Sequence, residues 1–219
     1  MSSKRVQVIK ALQEIHYRTP PDERSRDAAK SNRVLQAALE IVLINGWRGL
    51  TIEGIAARAG VAKQTIYRWW PSKGAVLFDA VIADGFDWPP FPDTGDLSAD
   101  LTTSIRTHAS AFMEPPFGAF MRALLVGAEE DEVLARRLAR VTTEAPIEPA
   151  ARRFEAAKRT GQVDSEVNSE VLAEVAFGAI LMRWLLGTGE IDAAFADSVA
   201  ALAIRAAAPR AAAPKAGTS

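Results

Sequence analysis

The sequence contains no cysteine, and only two of its 219 residues, His16 and His108, are histidines. The lack of cysteine excludes disulfides and thiolate catalysis, and the two histidines leave almost no ligands for a zinc or haem site. We therefore expect neither a bound metal nor another cofactor. A chain without thiols also suits the reducing cytoplasm.

Long apolar runs are missing as well. The longest stretch, Val171 to Leu186, has sixteen residues and contains Glu174 and Arg183, whereas a bilayer span needs about 20 apolar residues. Charged side chains also interrupt the N-terminal segment, where a signal peptide would have its apolar core. The sequence thus predicts a cytoplasmic protein that is neither exported nor inserted in a membrane.

The amino-acid composition is that of a folded globular protein. Hydrophobic residues make up 48% of the chain and charged residues 24%, which excludes general disorder. We find no Ser-His-Asp set, no metal-ligand spacing and no Gly-rich phosphate loop, and the two histidines lie far apart in sequence. An enzyme is therefore not expected.

Charge is unevenly distributed, although the formal net charge is only −1. Residues 1–78 carry 13 Lys and Arg against 6 Asp and Glu, whereas residues 79–219 carry 13 against 21. Residues 1–78, called the head below, are thus basic, and the rest of the chain is acidic. Unless this excess is incidental, it indicates that the head binds a polyanion, either nucleic acid or an anionic membrane.

Apolar residues recur at helical spacing along the chain, and no segment shows the sustained alternation of a strand. The sequence therefore predicts an all-α protein. The expected parts are a flexible basic arm at 1–28, a helix-turn-helix domain at 29–84, a larger helical domain at 85–206 and a disordered tail at 207–219.

The head shows clear helix boundaries. A first helix is predicted from Val34 to a stop at Asn45-Gly46, and Thr51 caps a second helix that Gly60 ends. A third helix ends at Pro71 and is predicted to bury Ala62, Ile66 and Trp70. Its opposite face carries Lys63, Gln64, Tyr67 and Arg68.

Two short helices joined by a Gly turn, the second with a polar and basic outer face, are typical of a helix-turn-helix. In the major groove Gln64 can pair with a base edge, and the Thr65 methyl group suits a thymine methyl. Lys63 and Arg68 can reach guanine or phosphate, and Tyr67 can donate to a phosphate. Lys73 lies at the start of the fourth helix, where free amides and its ammonium favour a phosphate. A basic helix face that is merely solvated remains the alternative.

The segment GWRGLTIEGIAARAGVAKQTIYRWWPSKGAVLFDAV, at 46–81, resembles the N-terminal signature of the TetR family of transcriptional regulators. The resemblance implies that Thr51 and Tyr67 contact phosphates, that Trp69 lies near the DNA backbone and that Lys73 is a phosphate clamp. It also implies groove-facing roles for Lys63, Gln64, Thr65 and Arg68. At the position of Glu53, some members of the family have a basic residue directed toward DNA, so this sequence differs from them there.

The basic arm, with Arg18, Arg24, Arg26 and Lys30, either enters the minor groove or is a solvated tail. In the second half, prolines at 146 and 149 are expected to interrupt the helical pattern. The segment 171–186 is apolar nearly all round, which requires partners on two sides. In the TetR family the last two helices form a four-helix dimer bundle, so we expect a homodimer on a palindromic operator, although a buried monomer helix would show the same pattern. The expected interface residues are Val175, Gly178, Ala179, Met182, Phe195, Val199 and Leu202.

Between the head and these helices lies an aromatic and Met-containing set that either lines an effector cavity or simply packs. The alternatives are a core role for His108, which is the commoner role of a histidine on an apolar face, and an ion pair with a Glu for Arg183. The candidate effector residues are His108, Phe112, Phe117, Phe120, Met121, Leu124, Phe154 and Arg183. The resemblance implies a homodimeric repressor released from DNA by a small molecule. The alternative is a helical dimeric ligand-binding or interaction protein that has lost specific DNA binding.

Overall fold

A computed structural model describes residues 26–84, 88–113 and 115–209, and all regular structure within these ranges is helical. Arg18 and Arg24 of the predicted arm, and the predicted tail from residue 210 onward, lie outside the described residues. The packing forms two compact units. One contains the described residues up to Trp88 together with Ala111–Thr142, and the other contains Pro89–Ser110 together with the described residues from Thr143.

Helix α1, Arg26–Gly49, begins eight residues before the predicted start at Val34. The buried stripe extends back through Ser31 and Ala28, whose small side chains carry little periodic signal in a sequence. Gly46 has a φ of 63° inside this helix, so the predicted stop is a kink after which one more helical turn follows. Residues 26–28, the last three assigned to the flexible arm, are therefore helical.

The next three helices are α2 at Ile52–Ala59, α3 at Lys63–Tyr67 and α4 at Lys73–Ala83. Thr51 caps α2 by accepting a hydrogen bond from the Gly54 amide at 3.0 Å, and Gly60 ends it at a φ of 65°. Both predicted boundaries are confirmed. Two predictions for α3 are wrong. Ala62 is its exposed N-cap rather than part of its buried side, and the helix ends at Tyr67 rather than at Pro71.

Helix α5 spans Leu97–Met113. Two further helices complete the first unit: α6 at Pro115–Ala128 and α7 at Glu132–Ala139. Helix α6 packs on α1 and α4, and α7 packs on α4 and α6. A Cβ atom on Gly127 of α6 would lie 2.4 Å from the ring of Trp47, so this glycine permits α6 to approach the end of α1. The head is thus supported by helices that lie far from it in sequence.

The second unit contains most of α5 together with α8 at Ala145–Arg159, α9 at Ser169–Leu186 and α10 at Ala193–Ala207. The expected interruption at the prolines is wrong. Five π-helical residues, Arg140–Glu144, join α7 to α8, and Pro146 lies in the first turn of α8, where a backbone N–H is not needed. Pro149 follows inside the same helix.

A buried polar cluster anchors the start of α5 within the second unit. The side chain of Asp100 is fully buried and accepts hydrogen bonds from the Thr94 amide at 3.1 Å and the Thr94 hydroxyl at 2.7 Å. Arg153 of α8 pairs with the same carboxylate at 3.0 Å. Because a buried charge needs such partners, this cluster joins the segment before α5 to α8.

Candidate nucleic-acid interface

Helix α3 presents the polar face expected from the sequence. Ile66 is fully buried and Trp70 is 1% exposed, so they attach the helix to the head. Thr65 and Trp69 are half-buried, and the guanidinium of Arg68 lies 4.8 Å from the centre of the Trp69 ring. The exposed residues of this helix and its C-cap are Lys63, Gln64, Tyr67 and Arg68.

Thr51 lies on the same short motif, exposed at the start of α2. Its hydroxyl oxygen accepts from the Gly54 amide, which leaves the hydroxyl hydrogen for another acceptor. A threonine in this state can cap the helix and donate to a phosphate at the same time.

Lys73, the predicted phosphate clamp, is half-buried at the start of α4. Its ammonium lies 4.2 Å from the centre of the Trp47 ring and 3.4 Å from the Trp47 carbonyl oxygen. The cap of α4 is Ser72, whose hydroxyl oxygen accepts from the Ala75 amide at 3.1 Å. The sequence analysis missed Trp47, which holds the lysine over its ring.

Glu53 and Lys63 form an ion pair between the first turn of α2 and the start of α3, with Nζ 3.0 Å from Oε1. The hydrogen bond from Lys63 lowers the pKa of Glu53, and the same bond raises the pKa of Lys63. Both groups therefore stay charged at neutral pH. The negative charge at this position offsets one of the few cations on the recognition face.

A network missed by the sequence analysis fixes the junction of α3 and α4. The Trp70 indole donates to Asp79 at 2.9 Å, and Arg137 of α7 donates to the other oxygen of the same carboxylate at 2.5 Å. The Arg137 guanidinium also lies 4.1 Å from the centre of the Phe78 ring. An aspartate within the otherwise apolar sequence AVLFDAV of α4 is the signal that marks this site.

Helix α7 is joined to the same junction at a second point. The Ser72 hydroxyl donates to Asp131 at 2.9 Å, and Asp131 caps α7 by accepting from the amides of Val133 and Leu134. The two helix caps are thus bonded to each other. Together with the Asp79 network, this bond makes α7 a direct support for the turn that follows the recognition helix.

The predicted effector residues are found in both units. In the first unit, Phe112 and Phe117 pack with Trp88, with ring centres 5.6–6.3 Å apart, and the Trp88 indole donates to the Val141 carbonyl at 2.6 Å. The remaining members of this unit are buried on α6: Phe120, Met121 and Leu124. Trp88 was missed by the sequence analysis, because it lies among the prolines of a predicted linker.

The other predicted effector residues lie in the second unit and have other contacts. His108 is buried, its ring centre lies 4.5 Å from that of Phe177, and burial lowers its pKa to about 4. Phe154 packs edge-on against Phe91, and the Arg183 guanidinium lies 3.6 Å from the centre of the Phe195 ring. An open groove of about 930 Å³ between α8 and α9 is lined mainly by charged residues and by none of the predicted set.

Helix α9 has two apolar faces, as its sequence predicts. One face is buried in the second unit, where it contributes Leu172, Ala176 and Ile180. The other is exposed, with Val175 at 64% and Met182 at 57%. Of the remaining predicted interface residues, Gly178 and Leu202 are exposed, Ala179 and Phe195 are half-buried, and Val199 is buried within the chain.

Two short helices around a left-handed glycine, the second with an exposed polar and basic face, place the chain in the helix-turn-helix class of DNA-binding proteins. Two family models match it: the tetR family of bacterial regulatory proteins over residues 34–80, and the tetracyclin repressor-like C-terminal domain over residues 91–203. The chain belongs to the TetR family of transcriptional regulators. The resemblance seen in the sequence and the all-α fold class are thereby confirmed.

Curated and solved relatives agree with this assignment. The HTH-type transcriptional regulator YdeS of Bacillus subtilis is 29% identical over 172 residues, which cover 78% of this chain and 86% of that protein. The DNA-binding transcriptional repressor TetR of Mycobacteroides abscessus is 28% identical over 78% of this chain and 90% of its own. The crystal structure of the TetR family regulator SCO0332 matches with a TM-score of 0.60 and 32% identity, over 82% of this chain and 99% of that one.

Among the described residues, no helix has the length and apolar character that crossing a membrane requires. The same residues contain no group of three or more His, Asp or Glu placed to hold a metal ion.

Proposed function

We propose that this regulator is a homodimeric repressor that binds a palindromic operator in the cytoplasm and is released from it by a small-molecule effector. The observation that carries the proposal is the exposed face of α3, where the buried Ile66, together with the buried Trp70 just after the helix, turns Lys63, Gln64 and Tyr67 outward. A relative named as a transcriptional repressor, in Mycobacteroides abscessus, supports repression as the output.

The DNA-contacting residues follow from chemistry and exposure. Gln64 and Lys63 are assigned to base edges in the major groove, and the Thr65 methyl group to a thymine. Thr51 and Tyr67 donate hydroxyl hydrogens to phosphates, and Lys73 leaves the Trp47 ring to reach another phosphate. Arg68 is assigned to the groove-facing set, where it can reach guanine or phosphate, and Trp69 is assigned to the neighbourhood of the DNA backbone.

Dimerisation is assigned to the exposed apolar face of α9 and to Leu202 of α10. A large apolar face in contact with water marks an interaction surface, and the exposed Gly178 has open space at its Cβ position. A second copy of the same helix pair can therefore approach closely. Two recognition helices in one dimer would read half-sites about one helical turn apart.

The effector site is assigned to the aromatic cluster of the first unit, formed by Trp88, Phe112 and Phe117. Tilted and edge-on rings, whose one indole N–H donates to the Val141 carbonyl, suit an apolar or aromatic small molecule. His108 and Phe154 are assigned to packing in the second unit. If the effector and DNA are coupled, each should lower the affinity for the other by the same factor, about 5- to 150-fold.

The test of this function is selection of binding sites from random duplexes, followed by fluorescence anisotropy on the recovered duplex. We expect an inverted repeat to be enriched. Aromatic compounds that quench Trp88 should then weaken binding of that duplex, and Phe117→Ala should reduce their effect more than Phe91→Ala. Recovery of no sequence, or ligand binding without any change in DNA affinity, would contradict the proposal.

Removing the proposed phosphate contacts should weaken DNA binding. We expect Tyr67→Phe to weaken binding of the selected duplex at least about tenfold, because one hydrogen bond to a charged phosphate is lost. Lys73→Ala should weaken it more and reduce the salt slope of log K by about 0.9, because one fewer counterion is released. Anisotropy at several salt concentrations measures both.

Lys158→Ala is the matched control for the lysine, since it removes the same charge from a residue of α8 that pairs with Glu155. It should leave both the affinity and the salt slope nearly unchanged. A loss of DNA affinity in Lys158→Ala as large as in Lys73→Ala would mean that net charge, rather than the clamp, determines binding.

A further inference from the structure

The ion pair of Glu53 with Lys63 lies within the proposed DNA-contacting surface. Both side chains are well exposed, Glu53 at 66% and Lys63 at 52%, and their charged atoms lie 3.0 Å apart. Exposed ion pairs contribute little to folding. The main physical consequence of this pair is therefore the charge that the start of α3 presents to a polyanion.

The pair is electrically neutral as a unit. The hydrogen bond from Lys63, followed by that from its own backbone N–H, lowers the pKa of Glu53, and the partner carboxylate raises the pKa of Lys63. The carboxylate also lies in the first turn of α2, where the helix dipole favours a negative charge. Glu53 thus stays ionised at neutral pH and keeps Lys63 partly neutralised.

A phosphate and a base edge respond differently to this pair. A phosphate that approaches Lys63 must also approach the carboxylate, which repels it, or replace that carboxylate as the partner of the ammonium. A base edge such as guanine O6 and N7 has no net charge, and an ammonium has three hydrogens, so Lys63 can donate to the base and keep Glu53. The pair therefore disfavours phosphate contact more than base contact.

We propose that Glu53 is a specificity-determining residue, which suppresses sequence-independent DNA binding by holding Lys63 in an ion pair. Binding without sequence preference comes essentially from phosphates neutralised by Lys and Arg, so a carboxylate at this position lowers that background while the selected site is retained. The inference rests on the proposed function, because it takes α3 as the helix that enters the groove.

The test compares Glu53→Gln with the wild type on the selected duplex and on a duplex of random sequence. We expect the variant to bind the random duplex about fivefold more tightly, as the loss of one repelling charge at contact distance allows. On that duplex, log K should fall more steeply with log[salt], with a slope larger in magnitude by about 0.9, because Lys63 now neutralises a phosphate. Affinity for the selected duplex should change less than twofold.

Two further variants separate the pair from other causes. In a Lys63→Met background, Glu53→Gln should leave the salt slope unchanged on both duplexes, because there is no ammonium to release to a phosphate. Glu40→Gln is the matched control, since it removes the same charge from the exposed ion pair of Glu40 with Arg58, which joins α1 to the other end of α2. It should leave the ratio of the two affinities unchanged.

The remaining outcomes overturn the inference. Glu53 does not act through Lys63 if Glu53→Gln tightens both duplexes equally, if its effect on the salt slope persists in the Lys63→Met background or if Glu40→Gln reproduces it. Weaker binding of the selected duplex by Glu53→Gln would make the carboxylate a base contact instead. If the wild type binds neither duplex, the proposed function fails and this inference fails with it, whereas wild-type binding with an unchanged ratio refutes only the inference.

Discussion

Replacing Arg137 with methionine is expected to lower the free energy of unfolding by about 3 kcal/mol, the cost of leaving one partner of a buried ion pair without the other. The side chain of Arg137 is 5% exposed and that of Asp79 is 17% exposed, so water cannot replace the guanidinium fully. The Asp79 carboxylate would keep only its bond from Trp70 as a described side-chain partner. Chemical denaturation measures the loss.

Two companion variants test the cause. Arg136→Met removes the neighbouring arginine, which pairs with Glu132 on the exposed side of α7, and should leave the unfolding midpoint nearly unchanged. Adding Asp79→Asn to Arg137→Met should restore much of the stability, because it removes the unpaired charge and keeps an acceptor for the Trp70 indole. If Arg137→Met lowers the free energy of unfolding no more than Arg136→Met does, the network does not stabilise the fold.

Introducing a charge on the exposed face of α9 is expected to separate the proposed dimer. Met182→Glu places a carboxylate where the partner's apolar face should pack, and burying an unpaired charge costs several kcal/mol. The protein should then sediment as a monomer at micromolar concentration. Its affinity for the selected duplex should fall at least about 100-fold, because a monomer reads only one half-site.

Val126→Glu is the matched control, since Val126 is an exposed apolar residue of α6 in the first unit. This variant should sediment as the wild type does and keep its DNA affinity. A monomeric wild type, or a Met182→Glu protein that remains dimeric, would mean that the exposed face of α9 is not the contact between copies.

The head was predictable because its signals are local. Thr51, Gly60 and Ser72 determine helix ends through bonds to the next few residues, and the period of Ile66 and Trp70 orients α3. Such interactions can be recognised in a short window of sequence. For this reason the caps and the exposed polar face agree with the structure.

The supports of the head were not predictable because they join residues distant in sequence. Asp79 and Arg137 are 58 residues apart, and Ser72 and Asp131 are 59 apart. A single sequence shows an aspartate in an apolar helix and an arginine on another helix, but not that they meet. The same applies to Trp47, which fits against Gly127 only because two helices approach each other.

The candidate effector set shows a different difficulty. Side chains that line a cavity and side chains that fill a core have the same spacing in sequence. The sequence therefore does not distinguish these two roles for any of the eight candidates. In the structure, His108 and Phe154 belong to the second unit and Phe112 and Phe117 to the first, which divides the set. Trp88 could not be recognised as their neighbour, since the linker around it has no periodic pattern.

The central claim is that two recognition helices of one dimer read a palindromic operator, and a hydroxyl-radical footprint of the selected duplex tests it most directly. We expect two protected regions related by a two-fold axis, with their centres about one helical turn, 10–10.5 base pairs, apart. Protection should disappear with Met182→Glu at the same protein concentration. A single protected region, or uniform protection along the duplex, would contradict the account.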